Sequence, residues 1–102
     1  MKIKLVDVAG EFCTSRKSVA LPDLRSMLEK HIANQEPLII SREGVKILTP
    51  SFIDELLPGL ILKFGEKQVR QFVKFEPPLD GYLAEQVHRG VAARKNSHSS
   101  PK

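Results

Sequence analysis

Apolar and polar positions alternate at the start of the chain. In KIKLVDV, residues 2–8, Ile3 and Leu5, with Val6 and Val8, are interleaved with charged residues. That period of two predicts a strand, and its lysines suit a sheet edge. Gly10 ends it. The following EFCTSRKSVAL is ambiguous, because Phe12 either adds a short strand or packs a loop. From Pro22 the period changes. Leu24, Met27, Leu28 and Ile32 recur at helical spacing, with Pro22 in the first turn and Asp23 near the positive helix end. Asn34 to Pro37 closes that helix.

PLIIS, residues 37–41, reads as a buried strand, REG as a turn, and VKIL as a further extended segment. Thr49-Pro50 then signals a helix start, with Thr49 as cap and Pro50 where its missing N–H costs nothing. Phe52, Ile53, Leu56, Leu57, Leu60, Ile61 and Phe64 make a broad apolar face. Pro58 falls inside it and predicts a kink or break over residues 54–58. Gly65 ends the helix. KQVRQFVKF, residues 67–75, alternates again and predicts a strand with one buried face. After the EPP turn, Leu79, Tyr82, Leu83, Val87 and Val91 predict a last amphipathic helix that frays through Gly90. Residues 95–102 read as a disordered basic tail.

Strand and helix therefore alternate three times. The expected fold class is α/β: a single domain over residues 1–94, with a mixed, mostly parallel sheet of about four strands and about three helices. The first strand could join as an antiparallel edge.

The chain has 102 residues, 41% apolar and 27% charged, enough for one core without staples. One cysteine, Cys13, excludes an intrachain disulfide and reads as a small buried hydrophobe. No signal peptide and no membrane-length apolar run is evident, so the expectation is a cytoplasmic protein. The net charge of +4 is uneven. Residues 1–85 hold 12 Lys/Arg and 12 Asp/Glu, whereas residues 86–102 hold Arg89, Arg94, Lys95 and Lys102 and no acid. Few cations without interleaved aromatics argue against nucleic acid as a partner. A nucleic-acid-associated regulator using this basic segment is the alternative reading.

No phosphate loop, nucleophile elbow or metal-ligand spacing occurs, so no cofactor, metal or enzymatic activity is expected. His31, His88 and His98 are not near Ser51 in sequence, and a Ser-His-Asp hydrolase is not assembled by the pattern. Asp54 and Glu55 are adjacent, so on a helix they point about 100° apart and suit the helix dipole better than a shared metal. Ser51 has two structural readings. Either Thr49 caps and Ser51 is the second helical residue, or Ser51 caps with Asp54 three residues on as a capping-box variant.

GVKILTPSFIDELL, followed by KFGEKQVRQFVKF and preceded by GEFCTSR and PLIISREGV, resembles the STAS-like domain family of unknown function. That family is related to the STAS domains of bacterial anti-sigma-factor antagonists. The resemblance spans roughly residues 10–90. It implies a non-enzymatic signalling or protein-interaction module. It places Thr49, Pro50, Ser51 and Phe52 on the antagonists' Asp-Ser-Ser-Gly-like turn, with Ser51 at the position phosphorylated by a partner kinase. The implied partner surface is Thr49, Pro50, Ser51, Phe52, Asp54 and Glu55. The implied partner is a histidine-kinase-like ATPase or anti-sigma factor.

Overall fold

The computed structural model describes residues 1–98, with side chains described through Lys95. In chain order the elements are β1 (Lys2–Lys4), α1 (Leu5–Ala9), β2 (Phe12–Cys13), α2 (Ala20–Ala33), β3 (Leu38–Ser41), β4 (Ile47–Leu48), α3 (Pro50–Leu56), α4 (Pro58–Phe64), α5 (Glu66–Phe72), β5 (Val73–Glu76) and α6 (Gly81–His98). The α/β class is therefore as expected. Among the described residues, five short strands and six helices differ from about four and three.

Three strands form a sheet in the order β1-β3-β5, and β2 pairs with β4 separately. Every pairing is parallel, so β1 is a parallel edge and not an antiparallel one. Register aligns Ile3 with Ile40 and Ile40 with Phe75, while Leu38 aligns with Val73. Because side chains alternate across a strand, these residues share one face of the sheet. That face is covered by the helices. Leu21, Leu24, Leu28 and Ile32 of α2 join Leu5, Leu38, Ile40, Phe52, Ile53 and Leu56 in one core. The opposite face carries Lys2, Lys4, Lys74 and Glu76 in the open, with Lys2 paired to Glu76 and Lys4 to Glu43, each at 3.0 Å. Helix α6 packs on α3 and α4 as an outer layer.

Two predicted strands are only half strand. β1 stops at Lys4 because its partner β3 ends at Ser41, and Arg42–Gly44 then turns away. With no neighbour to pair with, the backbone of residues 5–9 bonds to itself as α1, closed by the Gly10 N–H on the Val6 carbonyl (2.9 Å). In residues 66–72 the helix wins for local reasons. Glu, Lys, Gln and Arg are good helix formers, and the Glu66–Arg70 pair closes at 2.8 Å four residues apart. Val69 and Phe72 are buried three residues apart. Only from Val73 does a period of two begin.

The apolar run 52–64 breaks where Pro58 predicts. Leu57 joins α3 to α4 with φ −98° and ψ −44°. α6 does not fray at Gly90, which is buried, and it continues to His98. Extending an existing helix needs no new nucleus, so a polar composition at residues 95–98 is tolerated. Residues 99–102 of the expected tail lie outside the described residues.

Candidate functional site

Helix α3 carries the residues that the sequence singled out. Thr49 sits before it in extended conformation, and its hydroxyl accepts the Phe52 N–H at 3.5 Å. Thr49, and not Ser51, is the cap. The same hydroxyl donates to the Thr14 carbonyl at 3.1 Å, and the Thr49 N–H donates to the Cys13 carbonyl at 3.0 Å. The helix start is thus fastened to the strand pair β2–β4. Cys13 beneath it is buried, and burial pushes its thiol up from the ordinary value.

The six residues of the expected surface separate into two groups. Pro50 is exposed, and Thr49, Ser51 and Glu55 are half-buried. Phe52 is 0% exposed and Asp54 7%. In this structure the last two face inward. Phe52 is an anchor of the core and Asp54 is a buried charge. The Ser51 hydroxyl makes no hydrogen bond among the described residues, and neither His31 nor His88 reaches it. His31 Nδ1 lies instead 3.0 Å from the Glu36 carbonyl.

Asp54 is the electrostatic centre of the region. Arg16 donates to its Oδ2 from the loop between β2 and α2. Gln86 and Arg94, both on α6, donate to its Oδ1 at 3.1 Å each. Burial alone would push this carboxyl up. Hydrogen bonds from Arg16, Arg94 and Gln86 outweigh it and hold Asp54 below its ordinary value. Arg16 is raised, first by its bond to Asp54, and it also reaches Glu55 at 3.5 Å.

The helix break explains why these arginines come here. Pro58 has no N–H, so it cannot bond to the carbonyl four residues back, which belongs to Asp54. Arg94 Nη2 takes that carbonyl at 3.0 Å. The Glu55 carbonyl, next in line, accepts from Arg25 Nη1 at 3.3 Å. Two backbone acceptors freed at the break are thus satisfied by side chains, as buried polar groups require. Gly90 completes the junction. A Cβ there would collide with Asp54 Oδ1 and lie 2.5 Å from Pro58 Cγ. Only glycine lets α6 approach this closely.

Sequence reasoning missed Arg16, Gln86, Gly90 and Arg94, since each reads alone as a surface residue or a frayed helix end. The available signals were Pro58, which orphans a known carbonyl, and a glycine inside a helical pattern. Arg94 and Arg89 are engaged by Asp54 and Glu85, which accounts for part of the basic character of residues 86–102. Among the described residues, no group of three or more His, Cys, Asp or Glu side chains is placed to hold a metal ion. No helix among them is long and apolar enough to cross a membrane. Comparison with protein-family models, with curated proteins and with solved structures returns no match.

Proposed function

We propose that the protein is a non-enzymatic signalling or protein-interaction module of STAS-like architecture, acting in the manner of an anti-sigma-factor antagonist. The partner surface is the exposed rim of the α3 start: Pro50, Ser51 and Glu55, with the cap Thr49. The observation that carries this reading is the contrast within one helical turn. Phe52, Ile53 and Asp54 lock α3 to the body, while the Ser51 hydroxyl next to them has no hydrogen-bond partner among the described residues and is partly open. A rigid support under an unengaged polar group suits recognition, because little ordering remains to be done on binding. The direct passage from a strand, β4 of the parallel β2–β4 pair, into α3 also fits the resemblance.

The partner of this reading is a cytoplasmic histidine-kinase-like ATPase or anti-sigma factor, and Ser51 is its phosphorylation switch. A phosphate at Ser51 would stand one helical turn from Asp54 and Glu55 and compete with them for Arg16. Capture from host cells with the wild-type chain and with Ser51→Asp tests the surface. The expected result is an ATPase-type partner held by one and released by the other. Equal capture by both removes Ser51 from the interface. Phosphopeptide mapping that never finds Ser51 modified removes the switch.

A further inference from the structure

Away from the residues of the α3 start, between β5 and α6, the core is not fully sealed. A groove of about 400 Å³ runs between β5 and α6, floored by Leu57, Ile61, Val69 and Val87. Leu57, Val69, Val73 and Phe75 along it are 5–8% exposed, whereas Phe52, Ile53, Leu24 and Leu28 in the interior are at 0%. Val73, Lys74 and Phe75 all line it. Their side chains alternate between sheet faces, so a groove touching all three follows the edge of the strand.

That edge is free. β5 is the outer strand of its sheet. The Arg42 N–H donates to the Glu76 carbonyl at 2.8 Å, so Glu76 directs its backbone groups toward β3. Lys74, two residues away, does the same, and Phe75 between them directs its N–H and C=O outward. The Val73 carbonyl points outward as well, while its N–H is used by Val69. Pro77 has no N–H and closes the usable edge. An open strand edge on one side of an apolar groove, with a helix on the other, is the arrangement that receives an added strand from another polypeptide.

Charge selects the occupant. The alternation that turns Val73 and Phe75 toward the groove turns Lys74 to the open face, where it joins Lys2 and Lys4. Lys2 and Lys4 already hold Glu76 and Glu43, and Arg70 at the rim holds Glu66. Lys74 and His88 have no side-chain partner among the described residues. We infer that this groove binds an extended peptide segment of a partner protein, apolar at alternate positions and acidic between them. Its apolar side chains enter between Ile61 and Val87, its backbone pairs with Phe75, and an acid meets Lys74. The site is independent of the reading of Ser51.

The test selects a displayed random heptapeptide library against the full chain. The enriched peptide is then titrated into ¹⁵N-labelled protein. Enrichment of alternating apolar and acidic residues is expected, with the largest amide shifts at Phe75 and along residues 84–88. Lys74→Glu, at an exposed position that leaves the fold intact, should weaken binding about tenfold by placing like charges together. Val87→Arg should abolish it while the spectrum stays dispersed. No enrichment, equal binding by Lys74→Glu, or shifts confined to α3 would overturn the inference. So would concentration-dependent shifts along β5 without peptide, which would assign the groove to a second copy of the chain.

Discussion

Helix α6 makes two kinds of contact with the body, and they are opposites. Toward α3 and α4 it is locked: Gly90 lets it close on Pro58, and Gln86 and Arg94 converge on Asp54. Toward β5 it stands off, leaving apolar side chains along an unpaired strand edge. A buried carboxylate needs every partner in place, so the first contact fixes the helix in position and register. With the helix fixed, the second can stay open without collapsing. A small domain can therefore keep a groove because an adjoining face of the same helix is tightly specified.

The largest change to this contrast comes from emptying the locked side. Phe52→Ala removes a fully buried ring under α3 and should cost about 3–5 kcal/mol in chemical denaturation. Asp54→Asn leaves Arg94 without its carboxylate and Arg16 with Glu55 alone. It should cost about 2–3 kcal/mol, less than a fully buried pair because Arg16 and Arg94 are 47% and 32% exposed. The same variant tests acid behaviour. Against the upward push of burial, hydrogen bonds from Arg16, Arg94 and Gln86 hold Asp54 below its ordinary value when folded, so the stability it adds is fully present above its unfolded value and is lost as pH falls through the folded one. Melting temperatures from about pH 7 down to about pH 3 should fall more steeply for the wild type than for Asp54→Asn. Gly90→Ala should lose about 1–2 kcal/mol, since overpacking outweighs the gain in helix propensity. The smallest effect belongs to the open side. Lys74→Glu should stay within about 0.5 kcal/mol of the wild type, because no partner is lost there.

The legible parts of the fold were those with long or doubly marked patterns. The period of Leu24, Met27, Leu28 and Ile32 gave α2, and Thr49-Pro50 with Pro58 gave the cap, the start and the break of the next helix. The parts that misled were short. Residues 67–75 alternate well enough for a strand, yet Val69 and Phe72 obey a helical period and Val73 and Phe75 an extended one. A window that straddles the change cannot separate them. At the site, the Thr49 cap followed from residue types. The inward turn of Phe52 and Asp54 did not, because it depends on what α6 and the Arg16 loop bring from elsewhere. Arg16 and Arg94 lie 38 and 40 residues from Asp54, beyond the reach of any local pattern.

Those separations carry a consequence for how the protein is made. As the chain emerges during synthesis, α3 and α4 exist before residues 86–94 do. Through that interval Asp54 lacks two of its three partner residues, its carbonyl at the helix break lacks Arg94, and the surface later covered by α6 is uncovered. Translation of one stretch around a single glycine ends that exposure.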